Sequence, residues 1–359
     1  MSPLLKEVEE IGIKSIQKKV NPSSIVANDF FDSQTLLKKR FAQLIEAPDF
    51  QNIAIIPSAS YGIATVTKNI TLKKGEEVIV LDEQFPSNIY SWKRLTTENQ
   101  GLLRTVKAPI IDKNRGYIWN QKILDAITEK TKVVAIPQHH WTDGTYFNLK
   151  AIRKKTTDVG ALLIIDGTQS IGVYPFSIQE IQADALICAG YKWLMGPYSI
   201  GVAYFSDEFC QGIPIEENWI NHKNSEYFSQ LIHYNEEYQP KAGRFNVGEA
   251  SNFILTPMLS QGIKQLLDWT PQTIQNYCKS ITKEAILELQ HRGCFIEEEA
   301  YRASHIFGIY LPEKINLDNV KEKLIAQNIS VSYRGNAVRV SPNVYNTKED
   351  LKKLVSCFQ

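Results

Sequence analysis

Ala161-Leu-Leu-Ile-Ile-Asp166-Gly-Thr-Gln-Ser170 and Ala185-Leu-Ile-Cys-Ala189-Gly-Tyr-Lys192-Trp-Leu-Met-Gly-Pro197 decide the reading of this chain. Each opens with an unbroken apolar run and then turns polar and glycine-rich. Continuous rather than alternating apolar residues mark a strand covered on both faces, as in a central parallel sheet. The signal recurs upstream. Residues 52–56, 77–81, 103–107 and 132–136 read as strands, with helices at 61–70, 88–97, 121–128 and 149–157; 161–165, 185–189 and 200–205 complete the strands. This alternation predicts an α/β fold with a mainly parallel central sheet flanked by helices.

The character changes near residue 250. Two long helical patterns, 257–268 and 271–292, precede short strand–helix units around 306–311 and 338–340. The organisation to expect is a large domain over 21–250 and a smaller C-terminal α+β domain over 251–359. Residues 1–20 would pack on the smaller one.

Composition narrows the class. A chain of 359 residues with 43% hydrophobic and 22% charged residues has ordinary globular usage. Forty basic residues against 39 acidic ones leave a net charge of +1, which gives no reason to expect nucleic acid or an anionic membrane as partner. No apolar run approaches the ~18 residues needed to cross a bilayer. The acidic, amphipathic start is unlike a secretory signal. Five scattered cysteines without a Cys-x-x-Cys pair suit a reduced, cytoplasmic protein, with Cys188 in a core strand. Lys38-Lys39-Arg40 reads as a solvated helix face.

Ligands of open α/β sheets sit beyond the carboxyl ends of the strands, so the chemistry belongs directly after each apolar run. The residues there are Ser58 to Ser60, Phe85, His139 and His140, Asp166 and Lys192. Ser58-Ala59-Ser60-Tyr61-Gly62 opens a helix whose small residues, hydroxyls and N–H groups suit a phosphate, although a simple cap would use the same serines. There is no dinucleotide fingerprint, nucleoside-triphosphate loop or Gly-x-Ser-x-Gly elbow. His139 and His140, adjacent in an extended segment, point to opposite faces and cannot grip one metal. An amine and a carboxylate at neighbouring strand ends are what pyridoxal 5'-phosphate requires. Lys192 would form a Schiff base with the aldehyde, and Asp166 would keep the pyridine nitrogen protonated. The aromatic and small residues around Lys192 would desolvate it and favour its neutral amine.

Three motifs in order now resemble a known family: Asp166-Gly-Thr-Gln-Ser-Ile-Gly172, Gly190-Tyr-Lys-Trp-Leu-Met-Gly-Pro197 and Arg339-Val-Ser-Pro-Asn-Val-Tyr-Asn-Thr347. They are similar to those of the fold-type I pyridoxal-phosphate enzymes of the class-V aminotransferase group, which includes cysteine desulfurases, kynureninases and isopenicillin-N-epimerase-like proteins. The resemblance runs from about residue 20 to the C-terminus. It implies that Lys192 carries the cofactor and Asp166 pairs with its ring nitrogen. Gln169 would bond the phenolic oxygen, Ala59 and Ser60 would hold the phosphate, and Phe85 would stack on the ring. Tyr191 stands where desulfurases carry a histidine, and His140 where many relatives place an asparagine near the cofactor oxygen. Arg339 matches the arginine that grips the substrate carboxylate, a task suited to guanidinium. Arg244-Phe-Asn-Val-Gly248-Glu249 resembles the segment that reaches the phosphate of the neighbouring subunit, in a homodimer whose active site lies at the interface. Because Glu249 replaces the usual threonine, a backbone N–H of Gly248 or Glu249 is the donor left.

One departure bears on the reaction. Cysteine desulfurases carry a nucleophilic cysteine shortly before the arginine motif, whereas Asn328-Ile-Ser-Val-Ser-Tyr-Arg-Gly-Asn-Ala337 has none. Desulfurase chemistry is therefore disfavoured. Transamination of an amino acid or another amino-carboxylate ranks first, with Cβ cleavage or epimerisation second, and the core motifs do not separate the three. A catalytically silent binding protein is the rival of a different class, and the joint presence of Lys192, Asp166, Gln169 and Arg339 argues against it. Trp141, Trp219 and residues 221–238 are candidates for lining the substrate pocket.

Overall fold

The computed structural model describes residues 1–359. Its strands are β1 (Ile53–Ile56), β2 (Glu77–Leu81), β3 (Leu102–Val106), β4 (Thr131–Pro137), β5 (Leu162–Asp166), β6 (Ala185–Ala189), β7 (Gly201–Phe205), β8 (Phe307–Tyr310), β9 (Ser332–Arg334) and β10 (Ala337–Val340). The helices are α1 (Lys6–Val20), α2 (Asp32–Leu44), α3 (Ala59–Lys68), α4 (Tyr90–Glu98), α5 (Arg115–Ala126), α6 (Leu149–Val159), α7 (Ile178–Ile181), α8 (Leu255–Trp269), α9 (Pro271–His291), α10 (Leu317–Ala326) and α11 (Lys348–Ser356).

Seven strands form one sheet in the order β1-β7-β6-β5-β4-β2-β3. β6, β5, β4, β2 and β3 run parallel, and β7 runs against both its neighbours, β6 and β1. β1 therefore ends at the same edge as the parallel strands. Side chains alternate across the sheet. Ile53, Ile55, Ile79, Leu81, Val134, Ile136, Leu163 and Ile165 enter a core shared with α2, α5, α6 and α8. Ala54, Ile56, Val78, Val80, Ala135 and Ile164 enter a second core with α3 and α4. Covering both faces is why these strands read as unbroken apolar runs, each buried Ile or Leu contributing roughly 1.5–3 kcal/mol. The α/β architecture expected from the sequence is the one observed. The helix expected at 121–128 begins earlier, at Arg115, behind a left-handed Asn114.

β8, β10 and β9 form a separate antiparallel sheet packed with α11 and the C-terminal part of α9 through Ile281, Leu289, Phe307, Ile309, Val338, Leu351 and Leu354. The cores divide inside α9, with Ile274 and Cys278 in the large one and Ile281 onward in the small one. This differs from a boundary at residue 250, because α8 buries Leu259, Ile263 and Leu266 in the large core. α1 likewise packs on α8, with Gly12 against Met258 and Gln261 donating to Glu7, rather than on the three-stranded sheet. Lys38 is also a correction. Packed on the inner side of α2 rather than solvated, it is buried, and burial pushes its ammonium down to about 8.

A buried ionic knot ties the two sheets together. Arg115 on α5 meets Asp143 at 3.0 Å and Glu297, which follows α9, at 3.2 Å. The Tyr310 hydroxyl at the end of β8 donates to Asp143 at 2.8 Å. Next to Asp143, Gly144 has φ +76°, and a Cβ there would stand 2.2 Å from the Ile306 carbonyl oxygen. Only glycine allows this close approach.

Candidate active site

β1, β2, β4, β5 and β6 end at one edge of the sheet and β7 begins there. The residues beyond them close around a cavity of about 270 Å³ whose lining includes Ala59, Ser60, Phe85, Trp141, Asp166, Gln169, Tyr191 and Lys192.

Lys192 rides on a loop that bonds to itself. The Gly190 N–H donates to Ile200 at 2.9 Å, Met195 N–H to the Lys192 carbonyl at 3.1 Å, and Gly196 N–H to Gly190 at 2.9 Å. The backbone under the lysine is thereby fixed, and Nζ lies 5.2 Å from the centre of the Phe85 ring and 5.8 Å from that of Tyr191. Burial lowers the Lys192 pKa, Asp166 opposes this, and the guanidinium groups of Arg339 and Arg334 add to the lowering. The net shift favours the neutral, nucleophilic amine. Asp166 closes β5. Its Oδ1 accepts the Thr168 N–H at 3.0 Å, and Thr168 Oγ1 accepts the Ala189 N–H at 3.2 Å, which joins the exits of β5 and β6.

Gln169 is held from two sides. The indole N–H of Trp193 donates to its Oε1 at 3.1 Å. Its backbone carbonyl accepts a hydrogen bond from His305 Nε2 at 2.7 Å, while His305 Nδ1 accepts from Gln275 at 2.8 Å. Those partners select the neutral Nε2–H tautomer, and burial pushes His305 down to about 3. With Oε1 engaged, the amide N–H₂ of Gln169 is the end left for a ligand. At the start of α3, Ser58 caps the helix by accepting the Tyr61 N–H at 3.2 Å, and its hydroxyl lies 2.9 Å from that of Ser60. The first-turn N–H groups of Ala59 and Ser60 have no carbonyl within the helix, so cap and anion cradle coexist.

Trp219 and residues 221–238 do not line this cavity, most of them bordering a separate surface pocket, and three candidate ligand residues also stand outside it. His140 is buried with Nδ1 2.6 Å from Thr142 Oγ1 and Nε2 3.0 Å from the Asp82 carbonyl, its ring against Trp119 and Phe147. Along the exit from β4, Trp141 faces the cavity and its neighbour His140 turns into the core. Gly248 also lies elsewhere. Its N–H already donates to the carboxylate of Glu216 in the same chain, so the donor expected for a phosphate is engaged. Arg339 stands beside the cavity rather than in it. Nη1 donates to the Trp141 carbonyl at 2.7 Å and Nη2 to Ser332 Oγ at 3.3 Å. Burial, then Arg334, pushes its pKa down to about 10.

Tyr198, Ser199 and Ile200 line the cavity as well, because β7 starts where the parallel strands end. The short link between β6 and β7 was the available sign of this reversal. Nothing in the sequence marks Trp193 or His305, which reach Gln169 only through the tertiary fold. An amine, a carboxylate in the same cavity, a flat aromatic wall and a helix N-terminus together fit pyridoxal phosphate.

The family model for class-V aminotransferases matches residues 14–354. An uncharacterized aminotransferase, YcbU, of Bacillus subtilis (strain 168) is 24% identical over 319 residues, which cover 89% of this chain and 81% of that protein. A probable cysteine desulfurase of Streptomyces coelicolor is 26% identical over 263 residues, 71% of this chain and 57% of the relative. Among solved structures, the apo cysteine desulfurase of Thermococcus onnurineus NA1 matches with a TM-score of 0.81 at 20% identity, covering 99% of this chain and 91% of that one. The cystine C–S lyase C-DES in complex with its product cysteine persulfide matches with a TM-score of 0.85 at 15% identity, covering 98% and 93%. At such identities the structural likeness speaks to the fold.

Proposed function

The chain belongs to the class-V aminotransferase family, with pyridoxal 5'-phosphate as its cofactor, and on that premise we propose that it is an aminotransferase acting on an α-amino acid. The observation that carries this reading is the convergence of Lys192, Asp166 and Gln169 on one cavity that no cysteine lines. Bound pyridoxal phosphate supplies the electron sink for the bonding pair released at the substrate α-carbon. Lys192 would hold the cofactor and, once released as a free amine, would take the α-proton at Nζ and deliver it to the cofactor's former aldehyde carbon rather than back to the α-carbon. Asp166 keeps the ring nitrogen protonated, Gln169 donates its amide to the phenolic oxygen, and Ala59 and Ser60 meet the phosphate at the start of α3. Phe85 stacks on the ring, Tyr191 flanks the lysine, and Arg339 receives the substrate carboxylate.

The cysteine inventory speaks against a desulfurase. Cys188, Cys210, Cys278, Cys294 and Cys357 are all buried. Burial raises the pKa of each thiol, most strongly for Cys188, where Asp166 adds to it. No thiolate nucleophile faces the cavity. We propose a homodimer, as the resemblance implies, in a reducing compartment such as the cytoplasm, which suits five free thiols.

The test is a panel of amino acids, each with a keto-acid acceptor, offered to the reconstituted protein with products identified by mass. Transfer of the amino group to the acceptor supports the reading. A product that has lost its β-substituent would replace it with Cβ cleavage, and an inverted α-carbon with epimerisation.

A further inference from the structure

Arg339 is not alone beside the cavity, because Arg334 meets the same cavity-lining residue, Trp141. β9 and β10 form a hairpin in which Arg339 pairs with Ser332 and Ala337 with Arg334. Paired residues share a face and alternate residues return to it, so Ser332, Arg334, Ala337 and Arg339 project from one side. Gly335, at φ +53°, turns the chain between the strands.

That side meets Trp141. Arg339 Nη1 donates to its carbonyl at 2.7 Å, and the guanidinium carbon of Arg334 lies 5.1 Å from the centre of its ring. Trp141 in turn walls the cavity and meets Phe85 edge-on at 5.3 Å. Both cations are thus held at Trp141, Arg339 by its backbone carbonyl and Arg334 by its ring, beside the cavity that this residue helps to wall.

Neither cation has an acid. Arg334 donates to the neutral carbonyl of Tyr333 at 2.7 Å, Arg339 to Trp141 and Ser332, and the Nε atoms of both are buried without a partner. Glu83 is the acid beside the turn, its carboxylate oxygens 3.8 Å from where a Cβ on Gly335 would stand, yet it is exposed and pairs with neither arginine. Both guanidinium groups also bear on Lys192, with Asp166 as the opposing charge. One substrate carboxylate balances Arg339 and leaves Arg334 unanswered.

We propose that Arg334 is a specificity-determining residue for a second acidic group, so that the substrate is an amino acid with a carboxylate on a short side chain. The inference rests on the function proposed above. The two arginines occupy diagonal hairpin positions, about 7–8 Å apart at the backbone, which suits two carboxylates separated by the α-carbon and one or two methylene groups. Guanidinium bonds carboxylate in two parallel contacts, and the half-buried position of both arginines strengthens them.

The experiment titrates the pyridoxal-phosphate-loaded protein calorimetrically with succinate and with butyrate, four-carbon acids that differ in one carboxylate. Succinate should bind about 30-fold more tightly, the scale of one charge-assisted pair. R334Q should bring succinate down to the level of butyrate and leave butyrate unchanged, whereas R339Q should weaken both. R334K, which keeps the charge, should retain part of the advantage, an outcome that loss of folding in R334Q would not imitate. Equal binding of the two acids to the wild type, or equal weakening of both by R334Q, would overturn the proposal. A protein that takes up no cofactor would overturn instead the function on which it rests.

Discussion

Arg115 and Arg339 are both withdrawn from water, and the fold treats them oppositely. Arg115 has two acids, Asp143 at 3.0 Å and Glu297 at 3.2 Å, with Thr145 Oγ1 at 2.9 Å and the Trp119 ring at 4.9 Å. Burial alone would lower its pKa, but Asp143, Tyr310 and Glu297 outweigh burial and raise it. Arg339 meets only neutral oxygens, and its pKa falls. A buried cation without an acid costs several kcal/mol. Where the two sheets must be joined, the chain supplies the acids itself. Beside the cavity it leaves the place open, and on the function proposed here the cost would be offset by a carboxylate ligand.

Exchanging the treatment should expose the difference. R115M strands two buried carboxylates and should lower stability by about 3–5 kcal/mol, read from denaturant midpoints. R339Q removes a charge that has no partner to strand. It should leave stability unchanged or raise it by about 1 kcal/mol or more, yet lower kcat/KM for an active amino acid about 100-fold. If R339Q were instead as destabilising as R115M, the contrast between a structural and a ligand-facing arginine would collapse.

The site has a subtler tie of its own in Trp193, which holds the Gln169 oxygen at 3.1 Å. W193F frees that amide to turn and should weaken the bond proposed between it and the cofactor's phenolic oxygen. The pH midpoint of the bound cofactor's visible spectrum should move up by about one unit, a tenfold change, with the fold retained. An unmoved midpoint would leave Trp193 a packing residue. The last effect shows only as pH falls and concerns His305, the neutral link from Gln275 of α9 to Gln169. Its pKa of about 3 in the fold lies below the ordinary 6.5. The unfolded chain therefore binds a proton that the native chain refuses, and stability falls as pH drops from 6.5 toward 3. H305Q should flatten that acid limb of the stability profile.

These contrasts also mark how far the sequence could be read. The strand ends carrying Asp166 and Lys192 were legible because unbroken apolar runs and the polar turns after them are local signals. Trp141 and His140 were not separable, since a shift of one residue along an extended segment exchanges the face that meets the cavity. Arg334 sits on a three-residue strand with no apolar run to announce it. Its lack of an acid is a fact of three dimensions. The same holds for α8, whose amphipathic pattern says that one face is buried but not in which core, and for the Trp193–Gln169–His305 bonds, which join residues up to 136 positions apart.

The most direct test of the central claim is to load the protein with pyridoxal phosphate, reduce the adduct with borohydride and map the modified peptide by mass. A single pyridoxyl group on Lys192 is predicted, absent from K192A, with an uptake rate that rises with pH around a midpoint below the ordinary lysine value of 10.5. A wild-type protein that takes up no cofactor, or an adduct carried by another lysine, would contradict the account.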